Sequence, residues 1–146
     1  MKLSTRSRYG VRLMFELALN YGKGPVLLKN IAKNQEMSEK YLSKLIIPLK
    51  VAGFVNSIRG AHGGYILAKE PDRISIKDIV EILEGDLSPV DCVKNALLCK
   101  RVSVCPARDV WCKLENEISK TLESISLEDV VKNSQTKEGN SLAYCI

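Results

Sequence analysis

A chain of 146 residues has room for one domain with a sizeable core plus an appendage, and is short for two full domains. Its 45% hydrophobic and 27% charged residues suit a globular protein, and no apolar run approaches the ~20 residues of a membrane span, so no membrane partner is expected. The net charge of +5 is uneven, with 14 Lys and Arg against 6 Asp and Glu in residues 1–80 and 8 against 11 in residues 81–146, which points to a polyanion met by the first half.

Residues 5–20 place Val11, Met14, Phe15, Ala18 and Leu19 at helical spacing, with Arg6, Arg8 and Arg12 on or before the first turns. Gly22, Gly24 and Pro25 are expected to end this helix. A short second helix is predicted from Leu28 to Lys33, then a turn at Gln35, Glu36 and Met37. Ser38 reads as the cap of a third helix, with Glu39 favoured in its first turn by the helix dipole. That helix buries Leu42, Leu45, Ile46 and Leu49, closes at Gly53, and should kink at Pro48, which has no N–H to give to the Lys44 carbonyl.

"FVNSIRG" and "GYILA" are β-prone runs joined by a turn containing Gly60, Gly63 and Gly64, hence a hairpin. Three helices ending in a hairpin follow the order of a winged helix-turn-helix, with the helix-turn-helix at about 28–52 and the wing at about 54–68. A small helical core with an incidental hairpin would share the periodicity, but the basic charge of the segment favours DNA binding. On the third helix, Ser38, Lys40, Tyr41, Ser43 and Lys44 point away from the apolar face and suit phosphates and base edges. Arg59, at the mouth of the glycine-rich turn, is placed to reach a minor groove. His62, the one histidine, reads as a solvated turn residue or phosphate contact.

Ser75 and Asp78 begin a helix that buries Ile76, Ile79, Val80 and Leu83 and stops at Gly85, which closes the DNA-binding domain, residues 1–85. Residues 86–105 read as an irregular loop carrying three cysteines. Pro106 opens a long helix with Val110, Trp111, Leu114, Ile118, Leu122 and Ile125 on one side. About 20 residues span roughly 30 Å. That is too long and one-sided for so small a domain to cover, so a second copy is the natural partner. A short helix capped by Ser126 and Asp129 completes a 106–133 dimerisation region, and residues 134–146 read as a flexible tail.

Enzyme motifs are missing: there is no GxxxxGK[ST], HExxH or GxSxG, and one histidine leaves little for acid–base relays. The remaining chemistry is in "CVKNALLCKRVSVCPARDVWC", which holds Cys92, Cys99, Cys105 and Cys112 of the chain's five cysteines. The start, MKLSTRSRYG, lacks the apolar core of a secretory signal, so the expected compartment is the cytoplasm, where disulfides are rare. Zinc sites favour CxxC pairs, and none occurs here. Core packing explains one or two thiols and strains over three in a loop. Wide spacing on a pliant loop suits an iron–sulfur cluster, whose irons take ligands from different directions.

With these pieces in place, the chain resembles the Rrf-type winged helix-turn-helix regulators of bacteria, close to the iron–sulfur cluster regulator (IscR) branch. The resemblance runs from Met1 to about Asn133 and rests on MKLSTRSRYGVRLMFELA, "SEKYLSKLIIPLKVAGFV", "RGAHGGY" and the cysteines ahead of the long helix. It implies a mainly α fold with a small β-hairpin, and a homodimer crossed through the long helix on an imperfect palindrome of operator DNA. It also implies a cluster on Cys92, Cys99 and Cys105, 2Fe–2S in preference to 4Fe–4S. The sequence departs at the fourth ligand: Arg108 stands where cluster regulators place a histidine, and Arg8 where others recruit an acid from the partner. Cys112, one turn beyond Arg108, is the nearest replacement. Two readings follow, a cluster-sensing transcription factor and a metal-free repressor controlled by a partner protein or small molecule.

Overall fold

The computed structural model describes residues 2–144, with side chains described as far as residue 139, so Cys145 lies outside the described residues. Helix α1 (Thr5–Leu19) is capped by the Ser4 hydroxyl, which accepts from the Arg6 N–H at 3.1 Å. Helices α2 (Leu28–Gln35) and α3 (Glu39–Val51) follow, joined by a turn whose Glu36 takes a left-handed φ of 53°. Helix α3 runs on through Pro48. Strands β1 (Val55–Ile58) and β2 (Gly64–Leu67) pair antiparallel, with Val55 opposite Leu67 and Ile58 opposite Gly64. Val26 extends this ribbon through two backbone bonds with Tyr65, at 2.9 and 2.8 Å.

Helix α4 (Ile76–Glu84) starts in a full capping box, Ser75 and Asp78 each satisfying the other's backbone N–H. After the single turn α5 (Asp91–Lys94) come α6 (Pro106–Ser124) and α7 (Leu127–Tyr144). A second reciprocal pair, Ser126 and Asp129, begins α7. The two capping segments lie side by side, because Ile76 donates to the Ile125 carbonyl (2.9 Å) and Leu127 to that of Ile74 (2.8 Å). Among the described residues, no helix is long and apolar enough to cross a membrane.

The core gathers Leu13, Met14 and Leu17 of α1, Ile31 of α2, Leu42, Ile46 and Leu49 of α3, Val55 and Leu67 of the hairpin, and Ile79, Val80 and Leu83 of α4, with Leu127 from α7. Burying each such side chain is worth about 1.5–3 kcal/mol. Helices α1 and α4 cross closely at Gly10, where a Cβ would come within 2.0 Å of the Leu83 side chain. This crossing is also clamped by Glu84, whose Oε1 accepts from the Ser4 N–H and the Ser7 hydroxyl, both at 2.7 Å.

Two expectations need correction. The buried face of α1 is Leu13, Met14, Leu17 and Ala18, with Val11, Phe15 and Leu19 only half-buried. The cause is that α1 packs on several sides, against α3, α4, α7 and β2, so apolar spacing alone does not select one face. The region expected as a loose tail from residue 134 continues as α7 to Tyr144; the helix is anchored at its start, where it packs on α1 and the turn Pro71–Arg73.

Candidate nucleic-acid interface and cysteine segment

Ser38, the N-cap of α3, accepts from the Tyr41 N–H at 3.3 Å and remains exposed. Buried Leu42, Leu45, Ile46 and Leu49 turn the other side of α3 outward, so Lys40, Ser43 and Lys44 stand in solvent. The Ser43 hydroxyl donates back to the Lys40 carbonyl at 2.7 Å. Tyr41 is half-buried and meets Tyr9 of α1 edge-on, with ring centroids 5.8 Å apart, so its ring is partly committed to packing.

Arg59 is exposed where β1 enters the wing turn. The turn is tight against its neighbour: Gly64 has φ 151°, and a Cβ there would lie 2.6 Å from the Val26 carbonyl oxygen. Wing and helix are linked, since α3 packs on β1 and Lys50 Nζ donates to the Ser57 hydroxyl at 3.0 Å. Among the described residues, Lys40, Lys44 and Arg59 hold no ion pair, so their charges face solvent unneutralised. His62 is exposed at the wing tip.

A second set of polar residues, not anticipated from sequence, fixes the turn between α2 and α3. Glu16 is only 5% exposed and accepts from Gln35 Nε2 at 2.6 Å and Asn34 Nδ2 at 3.3 Å. Arg12 Nε donates to Gln35 Oε1 at 3.0 Å and its guanidinium also reaches the Gln35 carbonyl, while its charge lies over the Tyr9 ring. A lone acid inside the apolar run LMFELAL was the available signal. A buried carboxylate persists only where donors satisfy it.

The cysteine segment is built differently. Cys92, Cys99, Cys105 and Cys112 are all free and half-buried, on α5, after the short turn Ala96–Leu98, before α6 and within α6. Arg108 Nε donates to the Cys92 carbonyl at 3.2 Å, and Ser88 donates to Glu115 of α6 at 2.7 Å. Hydrogen bonds from Ser88, with the Lys94 charge behind them, hold the Asp86 carboxyl below the usual range. Between Glu84 and Ser126 no side chain is fully buried, and Leu97 is 94% exposed. The donor chemistry suits iron, since thiolates are soft ligands. In position, however, no three Cys, His, Asp or Glu side chains among the described residues converge tightly enough to hold a metal ion.

Residues 3–133 match the family Rrf2, described as "Iron-dependent Transcriptional regulator". The HTH-type transcriptional regulator CymR of Bacillus subtilis is 42% identical over 144 residues, 99% of this chain and 97% of that one. The structure titled "The Structure of CymR (YrzC) the Global Cysteine Regulator of B. subtilis" superposes with a TM-score of 0.78 at 41% identity, over 91% of this chain and 98% of that one. The structure of IscR from T. potens superposes with a TM-score of 0.76 at 43% identity, over 92% and 88%. These relatives share the mostly helical winged-helix architecture with a two-stranded hairpin.

Proposed function

The chain belongs to the Rrf2 family of transcriptional regulators, and from that premise we propose that it is a cytoplasmic homodimer that binds an imperfectly palindromic operator and senses iron–sulfur status, redox or nitric oxide through Cys92, Cys99 and Cys105. Members of the family are DNA-binding regulators and not enzymes. The observation that carries the DNA-binding half is the bracketed pair of α3 and wing, presenting Lys40, Lys44 and Arg59 without counter-charge. Helix α3 lays its outward face along the major groove, its lysines meeting phosphates, while Arg59 follows the wing into the neighbouring minor groove. Two copies set the α3 helices about one helical turn apart, near 34 Å.

The dimer half rests on α6, where Val110, Trp111 and Leu114 stay exposed while Leu122, further along, packs on the core. Covering that uncovered stretch with its counterpart removes apolar area from water. The sensing half rests on chemistry: three free thiols sit on one weakly held segment that leads, through Cys105 and Pro106, straight into α6. Cys92, Cys99 and Cys105 would hold an iron–sulfur centre, 2Fe–2S in preference to 4Fe–4S, which supplies a redox- and nitric-oxide-labile crosslink when bound. Arg108 and Ser88 are the residues that fix where this segment meets the rest of the chain. The iron-dependent description of the family supports this reading.

A second reading, a metal-free repressor controlled by a partner protein or small molecule, is supported by the similarity to a global cysteine regulator. Iron and sulfide content after anaerobic purification separates the two. Equal amounts of both, lost on Cys92→Ser, Cys99→Ser or Cys105→Ser, are expected; protein free of iron and sulfide selects the second reading. Binding itself is tested with Arg59→Ala, expected to cost about 1–3 kcal/mol on the operator. Lys44→Ala should weaken all duplexes alike and lower the salt slope by about one. Anisotropy showing Arg59→Ala equal to wild type removes the wing as a reader.

A further inference from the structure

The outward face of α3 has an unusual composition. Its buried side is centred on Leu42, Leu45, Ile46 and Leu49. At 3.6 residues per turn, Lys40, Lys44, Ile47 and Val51 fall opposite that centre. Ile47 is 58% exposed and Val51 84%, four residues apart and therefore in line along the helix. Single exposed aliphatic residues are ordinary, but two β-branched ones in line, flanked by unpaired lysines, are not explained by solvation.

Apart from its lysines, which can meet guanine as well as phosphate, the same face has little else that reads bases. From Lys40 to Val51 it carries no Asn, Gln, Asp, Glu or Arg, so the bidentate amide, carboxylate and guanidinium contacts that identify bases are absent from it. The Ser43 hydroxyl is engaged with the Lys40 carbonyl, and the lysines carry the charge that phosphates require. One feature of the major-groove floor is complementary to a branched aliphatic side chain, the thymine C5-methyl group.

We propose that Ile47, with Val51 behind it, reads thymine methyl groups in the major groove and is a specificity-determining residue of this regulator. This rests on the DNA-binding reading above. The two side chains are about 6 Å apart along the helix, roughly two base steps, so the recognised methyls lie close together within each half-site.

The test uses the full chain and a duplex selected from a random pool. Each thymine is replaced singly by uracil, which removes only the methyl group, and affinity is read by anisotropy. Wild type should lose about three- to fivefold at one or two positions per half-site, the factor expected for one buried methyl-sized group. Ile47→Ser, exposed and so without cost to the core, should bind more weakly and be indifferent to uracil at its position; unchanged circular dichroism verifies its fold. Wild-type binding blind to every uracil overturns the inference, as does Ile47→Ser retaining the full methyl dependence. Failure to select any duplex overturns the DNA-binding reading with it, whereas a selected duplex bound without methyl dependence removes this inference alone.

Discussion

Residues 2–83 and residues 84–126 are two regions of one chain held by different means. Among the described residues, the first contains every buried apolar side chain except Leu127, drawn mainly from four helices and a hairpin. The second contains none: α6 is nineteen residues long without one buried side chain, and the cysteine segment ahead of it exposes Leu97, Leu98 and Val104. A region that closes its own core has one stable arrangement. A region that does not must borrow order from another surface or a ligand, and its position is then sensitive to that surface or ligand.

The largest expected effect tests the contrast directly. Leu13→Ala, at a fully buried site in the first region, should cost about 3–5 kcal/mol in urea denaturation, while Leu98→Ala in the second should cost under about 0.5 kcal/mol. Equal costs would erase the distinction between the regions. Next comes Leu114→Asp on the exposed face of α6, 38% exposed in one copy. It should weaken self-association by about 3 kcal/mol, seen as monomer in sedimentation, with the thermal melt of the first region retained. A variant still dimeric at micromolar concentration would move the interface off α6.

Within the first region, Glu36 is strained by its left-handed backbone in the turn between α2 and α3. Glu36→Gly should stabilise the chain by about 0.5–1 kcal/mol, measured by denaturation, because glycine takes that conformation freely. The smallest effect lies at the boundary. Hydrogen bonds from Ser4 and then Ser7 hold the Glu84 carboxyl below the usual range. The folded chain therefore takes up this proton at lower pH than the unfolded chain. The resulting stability is complete above the unfolded value, about 4.3, and is lost as pH falls through the folded one. Glu84→Gln should flatten the acid limb of the stability profile; an unchanged limb would mean that the clamp between α1 and α4 contributes nothing.

Much of the first region was legible because local chemistry and tertiary packing agree there. The Ser38 cap, the Leu42–Leu49 face, the hairpin and the Ser75–Asp78 box are short-range patterns, and each is found in place, as is the Ser126–Asp129 box beyond that region. The amino-acid order alone also determined that α6 has an apolar side and that four thiols share one stretch. It did not determine which side of α1 is inside, because from Leu13 to Leu19 that helix carries apolar residues on more than one side and only its neighbours choose. Nor did it reveal the Glu16, Gln35 and Arg12 network, whose partners are some twenty residues apart and meet only when α1 packs on the α2–α3 turn. The length of α7 was hidden for a related reason, since SQTKEGNS has weak helical propensity of its own. Short-range pattern likewise does not fix the arrangement of the cysteine segment, because between Glu84 and Ser126 no side chain is fully buried, and such a segment takes its arrangement from what it leans against.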